Sequence, residues 1–196
     1  MNNQKDAESK SKSKSSEKGI AFELYFWAQA LVFALLILVT INVFFFRVSG
    51  VKGSSMHPTL EDGNQVVMRI IGYNVPERGD IIVVMPEGEG QGPLIKRVIA
   101  VENDVISIDD VTGNVSVNGE VLFEPYISEM IRSGNTGGHN YPYTIPKGHV
   151  FVMGDNRNNS TDSRNIERTG GAIPYENIIG KVLFRLWPIN KIGTLS

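Results

Sequence analysis

The apolar residues near the start of the chain form one long run behind a polar tail. Residues 1–20 are mostly Lys, Ser, Asn, Glu and Gln, which bury too little apolar surface to offset the entropy of ordering, so we expect a disordered tail over 1–23. The next 23 residues, 24–46, carry no charge and lie between Glu23 and Arg47. At about 1.5 Å per residue, a helix of this length crosses the roughly 30 Å hydrocarbon layer of a membrane. The pattern therefore predicts a transmembrane helix over 24–46.

Two other interpretations of this run are weaker. A buried core helix rarely runs so long without a charge, and the apolar region of a cleaved secretory signal covers only about 7 to 15 residues. Five lysines lie within about 20 residues before the run. Within about 20 residues after it, the basic residues are Arg47 and Lys52 alone. The positive-inside rule therefore places the N-terminus in the cytoplasm and everything after Arg47 outside the membrane.

Beyond Arg47, short apolar runs alternate with turn residues. They are rich in Val and Ile and are bounded by Gly, Asn, Asp and Pro, which is typical of β-strands. The pair Asn118-Gly119 predicts a type I′ hairpin, because both residues tolerate a positive φ, and 133–140 is typical of an exposed loop. The predicted strands are 65–71, 80–85, 94–101, 105–108, 114–117, 120–123, 149–153 and 178–186.

Composition and charge narrow the possible functions. The 196 residues leave room for one substantial domain, and the net charge of -2 from 19 basic and 21 acidic side chains gives no broad basic field for nucleic acid. The chain has no cysteine, which excludes disulfides, thiolate metal sites and a cysteine nucleophile.

Three polar segments carry the candidate chemistry. They are Gly-Ser-Ser-Met-His-Pro-Thr-Leu at 53–60, Lys-Arg-Val-Ile at 96–99 and Gly-Asp-Asn-Arg-Asn-Asn-Ser-Thr-Asp-Ser-Arg at 154–164. Alone, the first is typical of an ordinary loop, and Lys96 alone is typical of a surface lysine on an edge strand. The third directly follows an apolar run and needs a dense network of side-chain to backbone hydrogen bonds if it is ordered.

The order of these segments resembles the bacterial type I signal peptidases, especially their single-span branch. The likeness comprises the span, SMxPTL at 55–60, an RGD before a strand, the KRV strand and GDNRxNSxDSR at 154–164, and it extends to Leu186. It implies a mainly β protein with the antiparallel signal-peptidase/LexA-like β fold on one N-terminal transmembrane helix. The expected organisation is a cytoplasmic tail at 1–23, the helix at 24–46, an extracytoplasmic catalytic domain at 47–104 and 146–190, a small β insertion at 105–145 and a tail at 191–196.

The resemblance implies a serine endopeptidase that cuts signal peptides after small residues, Ala-x-Ala, through an acyl-enzyme. Ser55 would be the nucleophile and Lys96 the general base. Ser160 would hydrogen-bond and orient the lysine, while Asp162 and Arg164 would form an ion pair that holds the loop. Because a free lysine has a pKa of about 10.4, Lys96 must be desolvated to act as a base, and its apolar neighbours in the strand suit that requirement.

Two positions depart from the family pattern. The Ser55 N–H would form the oxyanion hole, but Gly53 stands where some relatives have a serine hydroxyl as second donor, so water or another backbone group must replace it. Residues 100–104 read Ala-Val-Glu-Asn-Asp in place of a Gly-Leu-Pro-Gly-Asp type of run, which affects the loop after Lys96.

The expected substrate is itself membrane-embedded. Ser55 lies nine residues after Phe46, so it is within about 30 Å of the bilayer, and the family binds the end of the signal peptide as an added β-strand. The expected partners are preprotein signal peptides, the lipid bilayer and the protein-export machinery, without nucleic acid. Five residues are candidate walls of the substrate pocket, with core packing as an equally favoured alternative for each: Val51, Met56, Leu60, Leu94 and Ile95.

Other functions are disfavoured. A Ser-His-Asp triad is disfavoured because His57, two residues along an extended segment, cannot easily turn its ring back to Ser55, and neither His139 nor His149 lies in a recognisable elbow or metal-ligand cluster. We expect no metal or cofactor. A self-cleaving repressor would lack the membrane span. A catalytically silent relative would be free to lose Ser55 or Lys96, and the chain retains both.

Overall fold

The computed structural model describes residues 22–40, 44–87 and 92–195. Helix α1, Phe22–Thr40, has 19 residues and is long and apolar enough to cross a membrane. The predicted tail over 1–23 lies almost wholly outside the described residues, as do residues 41–43 of the predicted span. The end of that span is corrected, because Phe46 already belongs to a strand.

Residues 45–196 form one compact unit, which is almost entirely β. Its helical segments are α2, Ile166–Thr169, and 3₁₀ turns at Tyr175–Asn177 and Ile189–Lys191. The strands are β1 Phe46–Gly50, β2 Gln65–Arg69, β3 Ile81–Val84, β4 Leu94–Ala100, β5 Val105–Ile108, β6 Val115–Val117, β7 Glu120–Val121, β8 Tyr143–Thr144, β9 His149–Met153, β10 Ile173–Pro174, β11 Ile178–Trp187 and β12 Gly193–Thr194.

Each of the eight predicted strands corresponds to an observed one, and the prediction of a mainly antiparallel β protein is confirmed. The prediction missed β1, β8, β10 and β12. The last three have two residues each, too few to show an alternating pattern, and β1 begins inside the apolar run that predicts the span.

The strands form two sheets with a common core. The larger sheet has the order β1-β2-β11-β3-β4-β9-β10, with β12 paired to β11, and the smaller one has the order β7-β6-β5-β8. Ile99 from β4 and Phe151 from β9 belong to the same buried cluster as Ile106 and Val117 from the smaller sheet. The region expected to be an insertion, 105–145, therefore packs directly on β4, which carries Lys96, and on β9, which leads into the 154–164 loop.

Local turn chemistry sets the ends of these strands. Asn118 and Gly119 have φ values of 55° and 84°, and Val117 pairs with Glu120, so the predicted type I′ hairpin is confirmed. The 100–104 turn is closed by Asp104, whose Oδ2 accepts hydrogen bonds from Val101 N and Arg78 Nε, both at 2.8 Å.

Strand β4 is an interior strand of the larger sheet, between β3 and β9. It pairs with β3 over Leu94–Arg97 and with β9 only from Arg97 onward, so its first residues have a neighbouring strand on one side alone among the described residues. Because apolar clusters cover both faces of the sheet here, the consecutive side chains of Lys96 and Arg97 are both buried although they point to opposite faces.

Candidate active site

Lys96 and Ser55 are in direct contact. Lys96 comes from β4, and Ser55 lies in the turn that follows β1. Their Nζ and Oγ atoms are 2.8 Å apart, and the carbonyl of Ile95 accepts a second hydrogen bond from Nζ at 2.9 Å. Lys96 is 2% exposed, so bulk water does not solvate its amine. The two residues predicted to act together are therefore adjacent although 41 positions separate them.

The surroundings of Lys96 favour its neutral form. Burial lowers the pKa of its amine to about 8, against the opposing charges of Asp162 and Asp155, and Arg164 lowers it further. No carboxylate contacts Nζ directly within the described part of the chain, because its two partners are a hydroxyl and a carbonyl. An amine with this pKa is unprotonated in about a tenth of the molecules at pH 7.

The turn around Ser55 is held from two sides. Gly53 adopts a φ of +84°, which favours glycine, and its N–H donates to Asp62 Oδ1 at 2.7 Å. Asn156 donates its backbone N–H to Ser55 O at 3.0 Å and its amide Nδ2 to Ser54 O at 3.1 Å. Neither contact could be predicted from the sequence, where Asp62 stands outside the three polar segments and Asn156 is one residue of the 154–164 motif.

Gly154 lets the 154–164 loop approach residues 53–59, the turn that carries the expected nucleophile Ser55 and is called the nucleophile turn below. A Cβ atom at this position would lie 2.4 Å from Ser55 O and 2.3 Å from Ser160 Oγ. Real Cβ atoms do not come so close to other heavy atoms, and the carbonyl is part of the backbone and cannot rotate away. Only glycine fits here.

Asp162 and Arg164 form the predicted ion pair inside that loop. The guanidinium donates to both carboxylate oxygens, from Nε at 2.8 Å and from Nη2 at 2.9 Å, and Gly154 N donates to Asp162 Oδ2 at 2.9 Å. Burial by itself would raise the pKa of Asp162, but the charge and hydrogen bonds of Arg164 together with the Gly154 amide hold it below its ordinary value. Asp162 is therefore an anion that is fully paired.

Ser160 is placed differently from the prediction. Its Oγ is buried and makes no hydrogen bond with Lys96, which we expected it to orient; it lies beside Asp162 instead, and its hydroxyl helps to lower the pKa of that carboxyl. The Lys96 amine is occupied by Ser55 Oγ and Ile95 O instead. Ser160 nevertheless lines one cavity together with Ser55 and Lys96.

Arg97 forms a second buried ion pair, which was not predicted from the sequence. It donates to Asp155 Oδ1 from Nε at 2.9 Å and to Oδ2 from Nη2 at 2.8 Å, and its guanidinium lies 3.9 Å from the ring centre of Tyr126. Asp155 also accepts a hydrogen bond from the Thr59 hydroxyl, at the end of the nucleophile turn. The available signal was an arginine next to a lysine in a strand whose other residues are apolar.

A third buried pair links this region to the segment after β7. Arg157 donates to Glu124 Oε2 at 2.8 Å and to Gly154 O at 3.2 Å, and Tyr126 donates to Glu124 Oε1 at 2.8 Å. Nothing in the local sequence around Glu124 indicates this contact, because the two charged partners are 33 positions apart.

A cavity of about 280 Å³ lies beside Ser55 and Lys96 and is largely apolar. Four of the five predicted wall residues line it: Val51, Met56, Leu94 and Ile95, with Val83 and Pro93 besides. Leu60 does not line this cavity, which corrects its prediction: it is 0% exposed and packs in the core cluster to which Val51 and Met56 also belong.

The histidines take no part in the site. His139 Nε2 contacts Ser163 O at 2.8 Å, His149 Nδ1 contacts Lys147 O at 2.9 Å, and only the backbone of His57 has a hydrogen bond near the nucleophile turn, to Ser54 O. Over the residues that the structure describes, no group of three His, Asp or Glu side chains is arranged to hold a metal ion.

Known proteins are similar in sequence to this chain over most of its length. A family model described as signal peptidase, peptidase S26 matches residues 24–187. Signal peptidase I T of Bacillus subtilis is 35% identical over 173 residues, which cover 85% of this chain and 86% of that protein. Signal peptidase IB of Staphylococcus aureus is 34% identical over 184 residues, covering 86% and 92%. A solved signal peptidase I of Enterococcus faecalis has 26% identity and a TM-score of 0.43, covering 55% of this chain and 96% of that one.

The substitution Asp155→Asn tests the structural importance of the Arg97 pair. It leaves a buried guanidinium without its anion, which typically costs about 3 to 5 kcal/mol, so we expect a loss of that size in the free energy of unfolding in detergent. As a matched control, Glu61→Gln breaks the exposed pair with Lys191 and should lower the free energy of unfolding far less than Asp155→Asn does. Equal effects of the two substitutions would contradict this assignment.

Proposed function

The chain belongs to the signal peptidase family, peptidase S26, and from this membership we propose that Ser55 and Lys96 are its catalytic dyad. It is a type I signal peptidase, a serine peptidase of the hydrolase class that acts on the signal peptides of preproteins. The observation that carries the proposal for the dyad is the 2.8 Å contact between Ser55 Oγ and a lysine amine that is 2% exposed.

The contact supports the following acyl transfer. Neutral Lys96 accepts the proton of Ser55 Oγ while this oxygen attacks the carbonyl carbon of the scissile peptide bond. The resulting ammonium gives that proton to the leaving nitrogen, the C–N bond breaks, and the signal peptide stays on Ser55 as an ester. Lys96 then accepts a proton from water, whose oxygen attacks the ester, and returns it to Ser55 Oγ as the acid product leaves.

The Ser55 amide is suited to stabilise the oxyanion. Its N–H makes no hydrogen bond with any described residue, so it remains available to a developing negative charge. Gly53 supplies no side-chain donor, and its own N–H is already bound to Asp62. Water or another backbone group therefore has to provide the second hydrogen bond.

Strand addition next to β4 supports the proposed mode of substrate binding. Leu94 and Ile95 pair with β3 on one side, while their other side has no strand partner among the described residues and faces the cavity of about 280 Å³. An extended peptide can add there by main-chain hydrogen bonds and reach Ser55 with its end. The narrow apolar cavity, walled by Val51, Leu94 and Ile95, suits small side chains such as those of Ala-x-Ala.

Ser160, Asp162, Arg164 and Gly53 are proposed as supporting residues. Asp162 and Arg164 hold the 154–164 loop beside the dyad, and Gly53 permits the turn that presents Ser55. The Ser160 hydroxyl borders the same cavity as Lys96, so a change of its rotamer during the reaction would let it orient the amine.

The apolar helix and the charge bias before it support a location in the cell membrane. We propose that α1 spans the bilayer once, with the lysine-rich N-terminus in the cytoplasm and residues 47–196 outside. This orientation would place the dyad on the side where translocated preproteins emerge, and the protein-export machinery is then a candidate partner.

Cleavage of a precursor with an Ala-x-Ala site tests the dyad. In detergent, we expect wild type to release the mature protein, while Ser55→Ala and Lys96→Arg each lose at least about a thousandfold in kcat/KM, because arginine retains the charge but cannot act as a base. Lys147→Arg, on an exposed loop, serves as the matched control and should keep full activity.

Thermal unfolding must first show that both dyad variants are folded. A folded variant with wild-type activity would remove that residue from the mechanism. A wild type that binds the precursor and never cuts it would instead identify a silent relative.

The pH dependence of kcat/KM should report Lys96. Because the neutral amine is the active form and its pKa is lowered to about 8, activity should rise about tenfold per pH unit at low pH, reach half its maximum near pH 8 and level off above that. Initial rates between pH 6 and about 10, with stability checked at each pH, measure this. A rise that continues past pH 10 would show an unperturbed lysine.

Single-cysteine labelling tests the orientation, because the natural chain has no cysteine. We expect a membrane-impermeant maleimide to label Val111→Cys in intact cells or spheroplasts, since this side chain is 90% exposed. Ser13→Cys, in the N-terminal segment, should react only after the membrane is broken. The reverse pattern would place the catalytic domain in the cytoplasm.

A further inference from the structure

A second cavity, of about 440 Å³, also borders the dyad. It shares Lys52, Gly53, Ser55, Leu94 and Lys96 with the apolar cavity, so the two meet at the reacting atoms. Its remaining walls are polar and come from the nucleophile turn and the 154–164 loop: Ser54, Asn158, Asn159, Ser160 and Thr161.

A peptide that is cut at Ser55 must occupy both sides of the dyad. If the signal peptide end lies along β4 in the apolar cavity, the residues after the scissile bond continue past Ser55 and Lys96 toward the polar cavity. We propose that this polar cavity binds the first residues of the mature protein and selects acidic or polar side chains there over basic ones. The inference rests on the proposed function and adds to it a specificity for the leaving-group side.

Hydrogen bonds hold the polar walls in place without a ligand. Asn159 Nδ2 donates to Ser54 Oγ at 3.0 Å, and this bond joins the two sides of the cavity. Asn158 accepts from Arg132 N and donates to Met130 O, both at 2.9 Å. The walls are therefore preorganised, which lowers the entropic cost of binding a peptide.

Unused polar atoms remain in these walls. Within the described part of the chain, Asn159 Oδ1 and Thr161 Oγ1 have no hydrogen-bond partner, so both are available to the main chain or a polar side chain of the mature segment. An apolar side chain at this place would leave them unpaired.

The charge of Lys52 determines which side chains of the mature segment the polar cavity favours. Lys52 is exposed at the junction of the two cavities, and no carboxylate of a described residue lies within 4.0 Å of its amine. None of the residues that line the cavity is acidic. Lys52 is therefore the charged lining residue that a mature segment meets besides Lys96, and its ammonium attracts Asp or Glu in that segment and repels Lys or Arg.

The test compares precursors that differ only in the first residue after the cut, Asp or Lys. Because exposed charge pairs are weak, we expect wild type to favour Asp over Lys by about twofold to fivefold in kcat/KM at low salt, and less at high salt. Lys52→Gln should remove the preference, and Lys52→Glu should reverse it. Lys147→Glu makes the same charge change on an exposed residue that lines neither cavity and should leave the ratio as in wild type.

Several outcomes would overturn the inference. Wild type without a preference, or Lys52 variants that keep the wild-type ratio, would show that the cavity does not select the mature segment. A second precursor pair, with Asp or Lys as the middle residue of Ala-x-Ala, reports the other side of the cut. If Lys52→Glu changes that ratio as much, Lys52 acts on the signal peptide instead. Cleavage without a preference refutes only this inference, whereas no cleavage of any precursor refutes the proposed function.

Discussion

The site depends on a lysine amine that is buried away from water and has no carboxylate of a described residue in contact with it. Burial in β4 costs the charged form of Lys96 its hydration, and its direct partners are the Ser55 hydroxyl and a backbone carbonyl. A carboxylate in contact with Nζ would favour the ammonium form of Lys96. The amine could then not accept the proton of Ser55 in the step that we propose. The surrounding structure therefore has to bury a basic group and still leave it without a counter-ion in contact.

The three arginines around the site, in contrast to Lys96, are buried together with carboxylate partners. Arg97, Arg157 and Arg164 are buried, and each donates to both oxygens of one carboxylate, from Asp155, Glu124 and Asp162 respectively. Pairing satisfies these charges and turns them into rigid links between β4, the nucleophile turn, the 154–164 loop and the segment after β7. Charge pairing thus separates the residues that build the scaffold from the one residue proposed to move protons.

The sheet provides the opening that this chemistry needs. Strand β4 is paired on both sides from Arg97 onward but on one side only at Leu94 and Ile95, so a buried strand becomes an accessible edge within two residues of Lys96. Apolar walls lie on one side of the dyad and polar walls on the other. The same short stretch of chain therefore buries the proposed base, leaves main-chain groups for the proposed strand addition and separates the two environments that we propose for the two halves of a substrate.

The sequence by itself determined the features that depend on neighbouring residues. The uncharged run predicted a helix, the Val and Ile runs predicted eight strands, and Asn118-Gly119 predicted its hairpin, because each signal lies within a few positions. The family motifs singled out Ser55 and Lys96. Only the tertiary structure decided the pairing of Arg97 with Asp155 across 58 positions, the burial of Leu60 and the missing contact between Ser160 and Lys96. An alternating pattern shows that a side chain faces inward, but whether it meets the core, a cavity or a distant charge depends on how the strands pair in three dimensions.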